Sequence, residues 1–471
     1  NEIVKGTLGG AIFYALLFVI LSVAKDLALR FFTLLRMTIT YVHQQYEGGK
    51  AMLTNRPRGT NDFLPEQTRQ WQYVEELLRT LCREFGYEEV RTPIFEDTEL
   101  FQRGVGDTTD IVQKEMYTFE DMGGRSITLR PEGTAAAVRA YVENKLYAGA
   151  QPTKLYYMGP MFRYERPQAG RYRQFHQFGV ECFGAKSPAA DAEVIGIAWE
   201  FYRRIGLQNL EVHLNSVGCP KCRPVHKKKL QEFLAPKLSK LCPTCQGRYE
   251  KNPLRILDCK SPICGELTIG APTTLDCLCE DCTEHFEQTK QYLDAAGIPY
   301  MIDNRLVRGL DYYTNTAFEI ILQGIGAQSA ICGGGRYDGL IEQIGGAPTP
   351  GVGFALGMER IFTSLASQNI TLPAANTMDV FLAALGEAAD VEAFKIMMQL
   401  RQNGIKAEKD TMGRSLKAQM KYGDKFNVKY TLILGETELA AGEILCRNMA
   451  DSTQETIPLT EITAHLEKLL K

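Results

Sequence analysis

The feature that most constrains the fold is a pair of strand-forming stretches, 156–166 and 171–181, joined by a short polar loop. Successive side chains of a strand point to opposite faces, so every second residue shares a surface. The residues predicted to share one face are Arg163 and Glu165 on the first stretch and Phe175, Gln177, Gly179 and Glu181 on the second. The pattern predicts a β-hairpin that presents a cation, an aromatic ring, an amide and carboxylates on one surface.

Those groups suit a substrate with a phosphate, a purine and an ammonium group. Arg163 can pair with a phosphate oxygen, Phe175 can stack on a base, and Gln177 and Glu181 can accept hydrogen bonds from nitrogen donors. An exposed polar sheet face without a ligand explains the hairpin equally well when it is taken alone.

Three further regions supply polar groups and glycines that could join the hairpin. The segment 129–134 is a strand end that turns into a helix, where Glu132 and Thr134 offer oxygens beside free backbone N–H groups. The segment 308–313 carries two phenols, and the glycines of 332–340 allow close backbone approach to a ligand. A strand that runs into a helix ends in Arg360, and none of these glycine runs matches a P-loop or a dinucleotide fingerprint.

The pattern of elements predicts the fold class. Apolar residues recur at three and four positions from Glu66 to Phe85, which predicts an amphipathic helix that ends near Gly86. Short strands follow with helices in blocks, so we expect an α+β catalytic domain on an antiparallel sheet with helical cover. A linker is expected near 372–376, followed by a small α/β domain with strands at 379–384 and 430–434.

The first fifty residues contain an uncharged, mostly apolar run from Gly6 to Ala24. A marginal membrane-spanning helix is one reading of this run. The chain begins with Asn1, however, and Met52 directly precedes a segment typical of a domain start. We interpret residues 1–51 as translated upstream sequence that is not native to the protein, with a real membrane anchor as the alternative.

Cysteines are concentrated in one stretch, since nine of the thirteen lie between Cys219 and Cys282. Two CxxC pairs separated by 19 residues have the spacing of a structural Zn²⁺ site, which predicts Cys219, Cys222, Cys242 and Cys245 as ligands. Reduced, unligated thiols in a small inserted domain are the alternative. Either reading indicates a reducing cytoplasm.

Overall charge does not identify a partner, because 53 basic and 56 acidic residues give a formal net charge of −3. The stretch 406–429 is locally basic, with seven basic and three acidic residues. Lys417, Lys421 and Lys425 are spaced to share one helical face. Such a run is ordinarily a solvated surface, and phosphate contacts are the functional alternative.

Taken together, these segments resemble the motifs of class II aminoacyl-tRNA synthetases. Residues 90–93 resemble motif 1, the hairpin around Arg163 resembles motif 2, and the segment that ends in Arg360 resembles motif 3. The stretches 306–313 and 334–339 look like the two signatures of the histidyl-tRNA synthetases. The resemblance covers the chain from about Arg56 to its C-terminus.

The resemblance implies an ATP-dependent ligase, with Mg²⁺, that activates histidine to histidyl-adenylate and transfers it to histidine tRNA. It implies Arg163, Arg308 and Arg360 as catalytic residues and Arg163, Glu165, Arg171, Phe175 and Arg360 as ATP-binding residues. The implied histidine-binding set is Glu132, Gly133, Thr134, Arg163, Gln177, Glu181, Arg308, Tyr312, Tyr313 and Tyr337. Contacts to tRNA are expected at Gln168, Lys417 and Lys421. Motif 1 implies a homodimer, and the resemblance as a whole implies a cytoplasmic enzyme without a membrane partner.

The implied division of the chain is a catalytic domain at 52–215 and 301–372, a cysteine-rich insertion at 216–300 and an anticodon-binding domain at 377–471. Two other readings stay open. One is a catalytically inert paralogue that regulates ATP phosphoribosyltransferase, but such proteins tend to lose the arginines and the C-terminal domain present here. The other is a class II enzyme for another amino acid, which the paired tyrosines at 312 and 313 disfavour.

Overall fold

The computed structural model describes residues 54–470 except 107–108, 168–169, 325–329 and 374–377. The interpretation of residues 1–51, the role of Gln168 and most of the expected linker lie outside the described residues. The chain divides after Arg58, and all elements below belong to the part from Gly59 onward. Within the described ranges, no helix is long and apolar enough to cross a bilayer.

The secondary structure consists of short strands interleaved with helices. The strands are β1 (Glu88–Glu89), β2 (Phe95–Asp97), β3 (Tyr117–Glu120), β4 (Ser126–Leu129), β5 (Thr153–Phe162), β6 (Gln174–Phe183), β7 (Leu210–Ser216), β8 (Tyr300–Ile302), β9 (Thr314–Leu322), β10 (Ala330–Arg336), β11 (Gly351–Gly357), β12 (Val380–Ala384), β13 (Ala407–Lys409), β14 (Tyr430–Leu434), β15 (Glu443–Asn448) and β16 (Gln454–Pro458). The α-helices are α1 (Pro65–Phe85), α2 (Thr98–Val105), α3 (Thr134–Glu143), α4 (Pro188–Arg204), α5 (Cys222–Leu234), α6 (Pro243–Lys251), α7 (Pro262–Leu267), α8 (Glu280–Ala295), α9 (Leu340–Gln343), α10 (Met358–Ser367), α11 (Glu387–Gln402), α12 (Leu416–Asp424), α13 (Glu436–Ala441) and α14 (Ile462–Leu470). Single helical turns lie at Ile111–Glu115, Leu146–Ala148, Ala235–Lys240, Pro253–Ile256 and Leu275–Cys277.

The central sheet has eight strands in the order β1-β5-β6-β11-β10-β9-β7-β8. Its interior is antiparallel, as expected from the sequence, whereas the edge strands β1 and β8 pair in parallel with β5 and β7. A separate antiparallel sheet has the order β2-β4-β3. The fold class predicted from the sequence is confirmed, with parallel pairing at the two edges as an addition.

One face of the central sheet packs on helices and forms the core. The predicted amphipathic helix is α1, which buries Trp71, Val74 and Leu78 and ends at Gly86 with a φ of 74°. These side chains belong to the same apolar cluster as Phe178 on β6. Because alternate residues of β6 face this core, the other half of β6 is free to form a polar surface on the opposite face.

The segment between β7 and β8 contains helices only, α5 to α8 with intervening turns. Leu230, Leu234, Leu241 and Ile256 from this segment are buried in a second apolar cluster. That cluster also includes Tyr313, so the segment packs against the loop that precedes β9.

The C-terminal part forms its own five-stranded sheet in the order β13-β12-β14-β15-β16. Val380 and Leu432 lie in its core with apolar residues of α11. The amide of Gln419 on α12 donates to the backbone oxygen of Ala384 and accepts from its N–H, at 2.9 and 3.0 Å. This pair fixes α12 at the end of β12.

Candidate active site

A row of small residues crosses the polar face of the central sheet. Gly179 on β6 pairs with Ala355 on β11, which pairs with Gly333 on β10, which in turn pairs with Glu319 on β9. The row leaves a trough, and a cavity of about 350 Å³ lies over it. The sheet therefore provides a concave surface between the hairpin of β5 and β6 and strand β9.

Most of the residues predicted for the site line this one cavity. They are Glu132, Thr134, Arg163, Glu165, Arg171, Phe175, Gln177, Arg308, Tyr312, Tyr313 and Arg360. Gly133, Glu181 and Tyr337 are not among the lining residues and are buried. Four chain segments far apart in sequence thus meet at one place. From the sequence alone, this convergence could be inferred only by resemblance to a family.

The hairpin end of the cavity carries three charged groups and an aromatic ring. Arg163 follows β5 directly; its Nε donates to the backbone oxygen of Pro131 at 2.8 Å, and its guanidinium lies 5.2 Å from the ring centroid of Phe175. The Glu165 carboxylate lies 3.3 Å from a guanidinium nitrogen of Arg171 and 3.8 Å from one of Arg163. This end presents cations beside a ring, a combination suited to a nucleotide.

Arg308 reaches into the cavity from the loop before β9. Its guanidinium forms an ion pair with Glu319 and lies 5.5 Å from the ring centroid of Tyr313. A Cβ on Gly333 would stand 2.3 Å from the Arg308 Nη1 atom, so only glycine leaves room for this side chain. Glu319 holds the cation above the centre of the trough.

Arg360 enters from the first turn of α10 and donates to the backbone oxygen of Ala330. Burial lowers the pKa of Arg360, although a guanidinium stays charged at neutral pH. Its neighbour Glu359 accepts from the His176 backbone N–H at 2.9 Å and lies 3.0 Å from His176 Nδ1. Glu359 thereby ties α10 to β6.

Glu319 and Glu359 both line the cavity, and our sequence reasoning missed them. The signal for Glu319 was a single carboxylate in an otherwise apolar strand between Phe318 and Ile320. Glu359 directly precedes Arg360 at the start of α10, where the helix dipole also stabilises a carboxylate.

Glu181 lies beneath the cavity instead of on its wall. The side chain of this residue is 1% exposed, and its two oxygens accept from the hydroxyls of Thr134, at 2.7 Å, and Tyr337. Burial raises the pKa of the Glu181 carboxyl to about 8, against which the two hydroxyls act. Glu181, Thr134 and Tyr337 form one buried polar unit under the site.

The start of α3 differs from the expectation. The backbone N–H groups there are not free, because the Glu132 carboxylate accepts from the N–H of Thr134 and of Ala135, both at 2.8 Å. Gly133 serves packing, since a Cβ there would stand 2.2 Å from the Tyr157 ring. Burial raises the pKa of Glu132 as well.

Gln177 provides a hydrogen-bond acceptor without a protein partner. Its side chain lines the cavity, and its Oε1 atom is buried without a hydrogen bond to any described residue. A buried amide oxygen of this kind is costly unless a ligand satisfies it. The position therefore favours a ligand with an N–H donor.

The cysteines of the inserted segment form two groups among the described residues. One contains Cys219, Cys222, Cys279 and Cys282, and the other contains Cys242, Cys245, Cys259 and Cys264. The expected single site of Cys219, Cys222, Cys242 and Cys245 is wrong in its grouping, because its two CxxC pairs lie in different groups. Helix α5 lies between the first and second CxxC pairs of the chain. Cys279 and Cys282, at the start of α8, lie beside Cys219 and Cys222 instead.

The basic residues of the C-terminal domain are less uniform than their spacing indicates. Lys409 is buried and pairs with Asp390 at 2.7 Å, and Arg414 pairs with Asp410. Lys417 and Lys421 are exposed on α12, as is Lys425 just after it. Within the part of the chain that the structure describes, these three lysines form no ion pair, so they offer a positive face to a partner.

Comparison with known proteins adds family evidence to this geometry. A family model described as histidyl-tRNA synthetase matches residues 59–221 and 275–361, and one for an anticodon binding domain matches 379–469. A histidine–tRNA ligase of Desulforamulus reducens is 62% identical over 416 residues, which are 88% of this chain and 99% of that protein. The one of Pelotomaculum thermopropionicum is 59% identical over 88% of this chain and 98% of its own length.

A solved structure is similar over the same extent. The crystal structure of apo S. aureus histidyl-tRNA synthetase superposes with a TM-score of 0.76 at 43% identity, and the match covers 88% of this chain and 99% of that one.

Proposed function

The chain belongs to the histidyl-tRNA synthetase family, and we propose that the cavity over the row of small residues binds histidine and ATP side by side. The protein is a histidine–tRNA ligase of class II, which uses ATP to activate histidine and transfers it to tRNA. One observation carries the assignment of the site: Arg163, Gln177, Arg308, Tyr313 and Arg360 line a single cavity.

ATP occupies the hairpin end in this proposal. Phe175 stacks on the adenine, Glu165 contacts the nucleotide, and Arg163, Arg171 and Arg360 hold the phosphates. Guanidinium groups suit this task because they bind phosphate oxygens with paired hydrogen bonds. The family uses ATP together with Mg²⁺, and Glu165, Glu319 and Glu359 are the cavity carboxylates whose oxygens suit that ion.

The activation step transfers the adenylyl group to histidine. A carboxylate oxygen of histidine attacks the α-phosphorus of ATP, a P–O bond forms, and the bond to the leaving pyrophosphate breaks. Arg308 neutralises the charge that develops at the α-phosphate, as expected where positioning and electrostatics dominate. Its ion pair with Glu319 and its place over Gly333 hold it ready for this role.

Histidine lies at the other end, over the buried polar unit. Gln177 Oε1 accepts from the α-amino group, and Glu132 and Thr134 add polar oxygens near it. Tyr313 and Glu181 bind the two imidazole nitrogens, and Tyr312 and Tyr337 pack around them. Glu181 acts from below, since its carboxyl group has hydrogen-bonding capacity beyond the bonds from Thr134 and Tyr337. A site that pairs with both nitrogens rejects isosteres that lack them.

In the transfer step, a hydroxyl of the terminal ribose of tRNA attacks the carbonyl carbon of histidyl-adenylate, an ester bond forms, and the bond to AMP breaks so that AMP leaves. Lys417 and Lys421 contact phosphates of the anticodon arm in this proposal, because they form a positive face in the anticodon binding domain. Gln168 in the hairpin loop stays a candidate for contact with the acceptor end.

We extend the proposal to a homodimer in the cytoplasm. The small sheet of β2, β3 and β4 leaves Ile94, Phe95 and Phe119 exposed by 44%, 56% and 47%, and apolar patches of this kind favour association. Sedimentation of the wild-type chain should give a dimer and that of Phe95→Asp a monomer. A monomeric wild type would exclude the homodimer but would leave the proposed active site untouched.

The division into a catalytic domain at 52–215 and 301–372, an insertion at 216–300 and an anticodon-binding domain at 377–471 is part of this proposal. A structural Zn²⁺ role for the cysteine-rich insertion belongs to it too, with ligands regrouped as described above. The alternative of an inert regulatory paralogue is disfavoured because the three arginines line the cavity and the C-terminal domain matches an anticodon binding model.

Histidine-dependent ATP–pyrophosphate exchange tests the site. Arg308→Ala should lower kcat about 100- to 1,000-fold, the cost of removing one group that stabilises transition-state charge. Gln177→Ala should raise the KM for histidine more than that for ATP. Arg203→Ala, which removes an exposed guanidinium that does not line the cavity, should behave as wild type. Near-normal exchange by Arg308→Ala would contradict the proposed site.

A further inference from the structure

We propose that the segment between β7 and β8 holds two structural zinc ions that together fix the loop 308–313 against the histidine end of the cavity. The first ion is bound by Cys219, Cys222, Cys279 and Cys282, and the second by Cys242, Cys245, Cys259 and Cys264. The zinc sites themselves do not depend on the proposed function. Their effect on histidine binding does rest on it.

Distances between the sulfurs match a metal site. Cys219 Sγ lies 3.6 Å from that of Cys222 and 3.8 Å from that of Cys279. In the second group, Cys242 Sγ lies 3.8 Å from Cys259 Sγ. A tetrahedral zinc ion with Zn–S bonds of about 2.3 Å places its sulfurs about 3.8 Å apart, whereas a disulfide requires about 2.0 Å.

Each group also has the backbone hydrogen bonds that thiolates need. The N–H of Lys221 donates to Cys219 Sγ at 3.3 Å and that of Cys279 to Cys222 Sγ at 3.1 Å. In the second group, the N–H of Cys242 donates to Cys264 Sγ at 3.3 Å. Such bonds spread the negative charge of the ligands. Four cysteine thiolates within 4.8 Å of one another select zinc or iron over hard cations, and we commit to zinc.

The first zinc site lies where the segment leaves and rejoins the catalytic sheet. Cys222 begins α5, and the next residue, Arg223, donates to the backbone oxygen of Tyr313. The Cys282 thiol donates to the Asn315 side-chain oxygen at 3.1 Å, and a zinc-bound thiolate at this position would instead accept from the N–H of the same amide once the amide has turned over. A metal ion here joins the starts of α5 and α8 and holds both against the end of the loop 308–313.

The second site braces the start of the same loop. Cys245 and Cys259 enclose a stretch whose Asn252 donates to the Asp311 carboxylate at 2.9 Å. Arg255, in the same stretch, donates to the backbone oxygen of Gly309 at 2.6 Å. Both sites therefore act on the loop that carries Arg308 and Tyr313, one at each end.

Metal content tests the sites on the full chain purified under reducing conditions. Mass spectrometry of the metals should give two zinc ions per chain, and Cys222→Ser and Cys245→Ser should each retain one after dialysis against a weak chelator. Cys277→Ser is the matched control, because this buried thiol of the same segment belongs to neither group, and it should retain two.

A wild-type chain with fewer than two zinc ions after reconstitution, or with iron in their place, would overturn the assignment, as would zinc loss in Cys277→Ser. The wild-type measurement needs no variant to fold. Cobalt substitution of the wild type gives a second readout, since two cobalt ions per chain with thiolate charge-transfer absorption are expected.

Exchange kinetics test the positioning role. Asn252→Ala should keep both zinc ions, raise the KM for histidine about tenfold and lower kcat, because displacement of the loop misplaces Tyr313 and Arg308, with the KM for ATP unchanged. Cys222→Ser should give the same split. Equal changes in the KM for histidine and the KM for ATP, or no change in either, would overturn the positioning role while leaving the zinc count intact. A wild type without histidine-dependent exchange would instead reject the proposed function.

Discussion

At the scale of single residues, the least ordinary group is the Glu181 carboxyl. It is fully buried, held by the hydroxyls of Thr134 and Tyr337, and tightly enclosed by β11, where a Cβ on Gly353 would collide with it. Burial raises its pKa to about 8. In the proposed site, the raised pKa favours the protonated carboxyl, which can both donate to and accept from an imidazole nitrogen.

This raised pKa predicts a pH dependence of stability. The folded protein binds a proton that the unfolded chain, with a carboxyl pKa near 4.5, releases. The contribution is therefore fully present below pH 4.5, declines above it, and is lost as the pH rises through about 8. Relative to Glu181→Gln, the wild type should lose unfolding free energy between pH 5 and 9 in chemical denaturation. A difference that does not change with pH would contradict the raised pKa.

Some residues of the cavity could be predicted from the sequence and others could not. Arg163, Phe175 and Gln177 were predicted to share a face from alternation alone, and all three line the cavity. Glu319 was missed because its importance depends on Arg308, eleven residues earlier in the chain and brought over β9 by the fold. Alternation places side chains on a face, but it does not say which distant loop covers that face.

At the scale of elements, the site depends on small residues aligned across three strands. Gly179, Ala355 and Gly333 come into one row only because of the register between β6, β11 and β10. The trough is thus a property of strand pairing.

Gly333→Ala tests this row. Its Cβ would displace the Arg308 guanidinium, the far end of a flexible side chain, so we expect a loss of about 100-fold in kcat for exchange with little change in melting temperature. Gly339→Ala is the matched control, because a Cβ there meets nothing within 4 Å. Unchanged kcat in Gly333→Ala would show that Arg308 does not act from this position.

Elements themselves were largely predictable where local signals agreed. The helix from Glu66 to Phe85 has a clear apolar stripe, and the structure places it at Pro65–Phe85. The strand expected at 430–434 is Tyr430–Leu434. The pairing of the CxxC motifs was wrong, because spacing identifies a pair of ligands but not the partner pair that α8 brings back from sixty residues away.

At the scale of the whole molecule, the charge of −3 conceals a local positive face on α12. Lys417→Glu with Lys421→Glu should raise the KM for tRNA in aminoacylation by tenfold or more, since each lost phosphate contact weakens binding. Exchange, which needs no tRNA, should be unchanged. Lys395→Glu with Lys468→Glu reverses two exposed charges elsewhere in the same domain and should have little effect. Equal effects of both pairs would indicate general electrostatics instead of a binding face.

In the proposed site, one cavity selects histidine by pairing with both imidazole nitrogens while it holds ATP. The most direct test is ATP–pyrophosphate exchange measured with each of the twenty amino acids in turn. We expect exchange with histidine and background rates with the other nineteen. Exchange driven by a different amino acid, or none with histidine, would contradict the proposed histidine site.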